Sequence, residues 1–186
     1  SPQPAEWSGC FEFNLTASIK MAQTAFDAGV PRLVASGTYA EYGLSGLRFD
    51  HIPSNAPLEP IEPYAASKAA SGMALAAFAR NQNWKFYYGR IFSAYGEGQF
   101  ENNFWPQLRD AARRGEDFPM TPGEQVRDFL SVERVAEIFL EAAVGRELLK
   151  GEPVIENVAS GEPITLKDFA IKWWNHWAAK GELKVG

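Results

Sequence analysis

Three side chains stand at spacings that suit proton transfer: Thr38, Tyr64 and Lys68. Tyr64 and Lys68 lie four positions apart in Tyr64-Ala-Ala-Ser-Lys68, inside a stretch that reads as helix. That spacing puts both on one helix face, about 40° apart around the axis and about 6 Å along it. An ammonium beside a phenol favours the phenolate. Carrying a tyrosine from its ordinary pKa near 10 to neutrality takes roughly 3 units, or about 4 kcal/mol. One lysine plus a further positive charge is the scale of help required. A phenolate so placed can take a proton from a hydroxyl, or return it to a carbonyl. Thr38 falls just beyond a predicted strand, where an α/β sheet gathers ligand contacts, and its hydroxyl can hold the same oxygen. Taken alone, the Tyr-x-x-x-Lys spacing is a weak signal, better read as an ordinary helix face with a surface lysine.

The elements that must position these residues follow from periodicity. Leu15, Ile19, Ala22 and Phe26 recur at helical spacing over residues 14–28, and Gly29 and Pro31 end that helix. Residues 32–36 read as a short buried strand, and the Gly-, Ser-, Asn- and Pro-rich stretch 42–63 as loop. A second, Ala-rich helix covers residues 64–81, entered after Pro63, and a strand covers 85–91. Helix, strand, helix, strand, with connections too long for hairpins, indicates a parallel α/β sheet. Beyond it come an amphipathic helix at 104–114, a short strand at 127–130, a helix at 132–144 and a strand at 153–158. A last helix runs through Trp177, opened by Thr165-Leu-Lys-Asp168 at capping-box spacing. Trp173, Trp174 and Trp177 on it form an aromatic stripe that faces the core or a partner, or else serves as a ligand platform.

Composition narrows the function classes. The 186 residues carry 18 Lys+Arg against 23 Asp+Glu, a net charge of −5 with no basic block, which argues against nucleic acid or an anionic membrane as partner. No apolar run approaches the roughly 20 residues needed to span a bilayer. The first residues, Ser-Pro-Gln-Pro-Ala-Glu, show neither the basic nor the apolar region of a signal peptide. One cysteine, Cys10, allows no internal disulfide and points to a reducing, cytoplasmic setting. Two histidines and that cysteine, scattered at 10, 51 and 176, predict no metal site.

The order of short motifs adds what spacing alone lacks. Asn14-Leu-Thr-Ala-Ser resembles an Asn-x-x-Gly-Thr helix opening, and Ser36-Gly-Thr38-Tyr-Ala-Glu-Tyr42-Gly43 a Ser-Ser-Ser/Thr-x-x-x-Tyr-Gly loop. Pro63-Tyr64-Ala-Ala-Ser-Lys68 resembles a catalytic Tyr-Lys helix, and Arg90-Ile-Phe-Ser-Ala-Tyr95-Gly-Glu-Gly-Gln an Arg-x-x-Asn-x-Tyr-Gly-Pro-Gly-Gln turn. Arg127-Asp128-Phe129-Leu-Ser-Val-Glu-Arg-Val-Ala resembles an Arg-Asp-Phe/Tyr-x-x-Val-x-Asp-x-Ala segment, and Asn157-Val-Ala-Ser-Gly161 an Asn-x-Gly-x-Gly strand-turn. All six occur in the order found in the extended short-chain dehydrogenase/reductases, the NAD-dependent epimerase/dehydratase family. The resemblance covers residues 14 to about 170.

It implies a partial Rossmann-like, doubly wound parallel sheet with a small interleaved substrate-binding lobe. The sheet layer is expected over residues 1–92 and 126–160, and the lobe over 93–125 and 161–186. It implies Tyr64 as general acid/base and Lys68 as its partner and a ligand of the nicotinamide ribose. Thr38 would hold the substrate hydroxyl and Ser36 would join the cofactor contacts. Asn103, in Asn102-Asn103-Phe-Trp-Pro106, and Arg127 would meet the nucleotide diphosphate of a nucleotide-sugar substrate. A helix cap for Asn103 and a structural carboxylate pair for Arg127 stay open. A homodimer through the helices at 14–28 and 64–81 is also implied; the face Ala69, Met73, Ala76, Ala77 suits it, or suits packing on the sheet.

Departures from the family pattern refine the expected activity. Ser93 stands where many relatives have a sugar-binding Asn, so that contact is shorter or different. Tyr39-Ala40 replaces the Asp-Glu that family dehydratases need, which favours an epimerase or 4-ketoreductase over a dehydratase; Glu41 is one position late. No Gly-x-x-Gly-x-x-Gly strand-turn-helix is found in the chain, and the family places one upstream of the helix at 14–28. The intact protein is therefore expected to use NAD or NADP, and this chain alone to bind it poorly and to be inactive. The competing reading is a non-catalytic binding or scaffold module of the same fold.

Overall fold

The computed structural model describes residues 6–186; the first five residues, on which the no-leader expectation rests, lie outside the described residues. Two compact units emerge. The first runs to Ile91 and resumes over Ala136–Val158; the second comprises Phe92–Val135 and Ala159–Gly186.

The first unit is built on three parallel strands, β1 (Arg32–Thr38), β2 (Lys85–Ile91) and β6 (Val154–Val158), in the order β1-β2-β6. Register runs from Arg32 opposite Lys85 to Thr38 opposite Ile91, so both strands end level, at Thr38. The central strand β2 is buried from Phe86 to Arg90, as a parallel strand covered on both faces must be. Its side chains alternate accordingly. Phe86 and Tyr88 join Ala22, Leu75, Ala76, Ala79 and Trp84 on one face. Tyr87 joins Ala142 and Leu148 on the other.

The helical layer on the first face consists of α1 (Trp7–Phe11), a π turn at Glu12–Thr16, α2 (Ala17–Asp27) and α3 (Pro63–Asn81). Helix thus begins seven residues ahead of the expected 14. The π turn inserts a residue into the 3.6 period, so the apolar phase set by Leu15 and Ile19 does not extend backward through it. Phe26 packs edge-on against Phe78 and Trp84, with centroids 5.9 and 5.5 Å away. The expected face of α3 divides: Ala69 and Ala76 are buried, whereas Met73 and Ala77 are exposed.

In the second unit, α4 (Phe104–Arg114) and, further along the chain, α6 (Leu166–His176) pack through Leu108, Ala111, Ala112, Ala170 and Trp174. Trp173 and Trp177 pack against the same cluster, so the tryptophan stripe is core. Thr165 caps α6, its hydroxyl accepting from Asp168 N at 3.0 Å. Short strands complete the unit: β3 (Ser93–Tyr95), β4 (Phe118–Met120), β5 (Val126–Ser131), β7 (Pro163–Thr165) and β8 (Leu183–Val185). β5 pairs with β3 in parallel and with β7 antiparallel. That pairing corrects one expected boundary. Residues 126–135, together with 159 and 160, group with the second unit and not with the parallel sheet. The chain returns to the first unit within α5 (Val132–Leu140), which continues into a π turn at Glu141–Gly145.

Among the described residues, no helix is long and apolar enough to cross a membrane. Nor does any group of three or more His, Cys, Asp or Glu among them converge as metal ligands would.

Candidate active site

Helix α3 displays the Tyr-Lys pair because of how its first turn is made and which face it buries. Pro63 occupies the first turn, where its missing N–H costs nothing, and the run of Ala that follows favours helix. The helix buries Ala65, Ser67, Ala69, Gly72, Leu75, Ala76 and Ala79, which leaves Tyr64 48% exposed. Ser67 Oγ donates to Tyr64 O at 2.8 Å, tying the first turn to the buried side of the helix.

Lys68 Nζ donates to Ser36 O of β1 at 2.5 Å. This bond joins the helix bearing Tyr64 and Lys68 to the strand whose end bears Thr38, and of the singled-out residues it brings Ser36 and Lys68 into contact. Lys68 does not by itself depress the Tyr64 pKa. Burial raises the Tyr64 pKa above its ordinary value, and the charge of Glu41 and then Cys10 push the same way. Burial lowers that of Lys68, with Glu41 acting in the opposite sense. The ammonium is engaged by a backbone carbonyl, and the charge that acts most on the phenol is a buried carboxylate. In this chain Tyr64 is a phenol at neutral pH.

Thr38 sits at the last position of β1 and opens a 3-10 turn, Tyr39–Tyr42. Its hydroxyl accepts from Ala40 N at 3.3 Å, and its own N–H donates to Glu41 Oε1 at 2.9 Å, a reciprocal capping box. The Thr-x-x-Glu spacing was available in the sequence as a signal for this turn. Glu41 is fully buried, and its Oε2 accepts from Arg90 Nε at 2.8 Å. Arg90 also donates to Tyr42 Oη at 3.0 Å and to Ser54 O at 2.9 Å. Asn157 holds the same loop from β6: it accepts from Tyr42 Oη and donates to Ile52 O at 2.7 Å. These anchors explain why a stretch read as plain loop is ordered. Gly43 is required within it, since its φ is 52° and a Cβ there would meet Glu59 O at 1.9 Å.

Ser93, Asn103 and Arg127 belong to the second unit. Ser93 begins β3, half-buried, opposite Phe129. Asn103 occupies the N-cap position of α4, but its side chain makes no capping bond and is exposed, so a side-chain cap does not account for it. Arg127 is exposed on β5, opposite Ile164. Its neighbour Asp128 accepts from Ser160 N and Gly161 N, at 2.6 and 2.8 Å.

A family profile described as the NAD dependent epimerase/dehydratase family matches residues 5–158. Among curated proteins, the chain is 30% identical over 182 residues to a UDP-glucose 4-epimerase of Rhizobium leguminosarum bv. trifolii, covering 85% of this chain and 53% of that protein. It is 27% identical over 147 residues to a dTDP-D-glucose 4,6-dehydratase of Mus musculus, covering 77% of this chain and 39% of that protein. The chain thus spans about half the length, or less, of these relatives. Among solved structures, a UDP-glucose 4-epimerase of Thermotoga maritima with UDP-glucose superposes with a TM-score of 0.83 at 22% identity, covering 97% of this chain and 58% of that one. A UDP-N-acetylglucosamine 4-epimerase of Methanobrevibacter ruminantium, in complex with UDP-N-acetylmuramic acid, gives 0.81 at 24% identity, covering 94% and 56%. At those identities the two superpositions speak for the fold. The profile match over most of the sequence establishes the rest: this chain belongs to the NAD dependent epimerase/dehydratase family.

Proposed function

We propose that the chain is the catalytic and substrate-binding portion of a nucleotide-sugar 4-epimerase or 4-ketoreductase. The observation that carries this reading is the bond from Lys68 Nζ to Ser36 O, which fixes the Tyr64-bearing face of α3 against the strand ending at Thr38. Tyr64 moves the proton of the sugar hydroxyl, and Thr38 holds the same oxygen through a hydroxyl whose acceptor side already caps the following turn. As a phenol, Tyr64 is ready to protonate a carbonyl. To act as base it needs a further positive charge. Oxidised nicotinamide carries one, and supplies the hydride exchange that the protein's own groups cannot. The donor set suits it. Lys68 is a donor for ribose hydroxyls, Ser36 and Tyr64 are exposed beside it, and the site lies at the carboxyl ends of parallel strands.

The sequence disfavours dehydration through Tyr39-Ala40, and the structure adds a reason. Glu41 is committed to Arg90 and to the Thr38 N–H, and is therefore unavailable as a base on substrate. The second unit is read as the lobe that grips the nucleotide diphosphate, through Asn103 and Arg127, with Ser93 meeting the sugar. A second copy of the chain is read as covering the helical layer, where Phe13, Met21 and Met73 are 76, 54 and 66% exposed.

The test has two arms. Tryptophan fluorescence and thermal shift with NAD, NADP, UDP and UDP-glucose establish what this chain binds by itself; weak or no cofactor response with a response to the nucleotide sugar is expected. Turnover of UDP-sugars is then followed in the natural gene product, where Tyr64→Phe should lower kcat by about 10²- to 10⁴-fold. Wild-type turnover in that variant would overturn the assignment.

A further inference from the structure

The Tyr88 ring threads between β1 and α3 through a slot made by two glycines. A Cβ on Gly37 would meet Tyr88 Cε1 at 2.5 Å, and a Cβ on Gly72 would meet the same atom at 2.8 Å. At the end of the slot Tyr88 Oη lies 2.8 Å from Glu41 Oε1 and 3.0 Å from Lys68 O. The phenol has one proton and two acceptors in reach. Glu41 Oε1 also accepts from Thr38 N, and its Oε2 from Arg90 Nε. A continuous path therefore runs from the Thr38 amide through Glu41 and Tyr88 to the backbone of Lys68.

We infer that Glu41 and Tyr88 are positioning residues that set the Thr38 turn against the face of α3 bearing Tyr64 and Lys68. Neither touches substrate. The catalytic consequence rests on the proposed function; the geometric one does not. A core filled only for packing would need no carboxylate there, because an apolar side chain fills such a volume without desolvating a charge. The strand end is where alignment matters, since displacements near 1 Å cost about 10²-fold in rate. The carboxylate also acts on the pair through space. Charged and titratable groups facing this cluster are Arg90 and Tyr88 from β2, Tyr42 from the turn and Tyr64 and Lys68 from α3, with Cys10 of α1 acting on Tyr64. Glu41 raises the pKa of both Tyr64 and Lys68.

Two isosteric variants test this. Tyr88→Phe keeps the ring in its slot and removes the hydroxyl. Amide hydrogen exchange should then accelerate at Thr38 by about tenfold relative to the rest of β1, because Glu41 loses the donor that orients it. A uniform change along the strand, or none, would make Tyr88 a packing residue and overturn the inference. Glu41→Gln keeps an acceptor for Thr38 N and removes the charge. The Tyr64 resonance in a [13Cζ]tyrosine-labelled sample should titrate at lower pH than in the wild type; an unmoved titration counts against Glu41. If Tyr88→Phe fails to fold, that titration in Glu41→Gln decides the matter. In the turnover-competent gene product, Tyr88→Phe should lower kcat about tenfold with KM within about twofold. Unchanged kcat beside a selective Thr38 effect would overturn the catalytic role. Exchange and titration that respond as expected in a protein silent toward nucleotide sugars would leave the positioning intact and refute the proposed function instead.

Discussion

Asn14 Nδ2 donates to Ser67 Oγ across 2.9 Å, joining two helices at residues far apart in the chain. The bond depends on the π turn at Glu12–Thr16, which carries Asn14 at its centre. Ser67 passes the connection on to Tyr64 O, so the turn braces the start of α3. A partly buried hydrogen bond of this kind contributes about 0.5–1.5 kcal/mol. Asn14→Ala should therefore lower the free energy of unfolding by about 1 kcal/mol, measured from urea transitions. A double-mutant cycle with Ser67→Ala should recover a coupling energy of similar size. Additive single effects would show that the two side chains do not cooperate.

The glycine slot makes a sharper prediction for stability. Gly72→Ala is ordinarily favourable in a helix interior, by about 1 kcal/mol. Here the new methyl would meet Tyr88 at 2.8 Å on two ring carbons. Overpacking of a filled core costs about 1–3 kcal/mol, which outweighs the helical gain. The variant should unfold at lower urea than the wild type. Gly145→Ala is a control for crowding, since the nearest atom to its Cβ would be 3.6 Å away.

How much of this was legible in the sequence depends on whether the partner is local. The spacing of Tyr64 and Lys68 on one face is a local matter, and α3, β2 and α4 fall where apolar periodicity and Pro63 place them. Helix ahead of residue 14 was not legible, because a π turn breaks the phase that periodicity relies on. Strands of three residues such as β4 and β8 carry too short a pattern to register. At the site, Glu41 was set aside because it misses the dehydratase position. Its actual partners, Tyr88 and Arg90, lie 47 and 49 residues away. Only the Thr38–Glu41 capping box was within reach of local reading. The direction of the Tyr64 shift was equally beyond local reading: adjacency of Lys68 is local, whereas the burial and the Glu41 charge that raise this pKa arrive through the fold.

A pair remote from the site gives an acid-side prediction. Arg146 holds Glu156 through two parallel bonds, each 2.7 Å. Those bonds pull the Glu156 pKa below its ordinary value, against a smaller opposing effect of burial. A depressed carboxyl contributes stability that is present above the unfolded pKa, near 4.3, and lost as pH falls through the folded one. Arg146→Met should flatten the loss of stability below about pH 4.5, while lowering stability at neutral pH. Both side chains are more than a third exposed, so the change should be modest and should shrink in high salt.

The alkaline side reverses the sign. Burial, and then the charge of Glu156, push the Tyr87 pKa up to about 12. The unfolded chain ionises near 10, so between these values the unfolded state sheds a proton that the folded state retains. A raised acid contributes stability that is complete below the unfolded pKa and disappears as pH rises through the folded one. Tyr88 is shifted in the same direction, by burial first and by Glu41 next, and adds to the slope. Urea midpoints of the wild type should therefore fall from about pH 10 toward 12. Tyr87→Phe removes one of the retained protons and should show a shallower fall over that range. An identical slope in the variant would mean that Tyr87 ionises as readily in the folded chain as in the unfolded one.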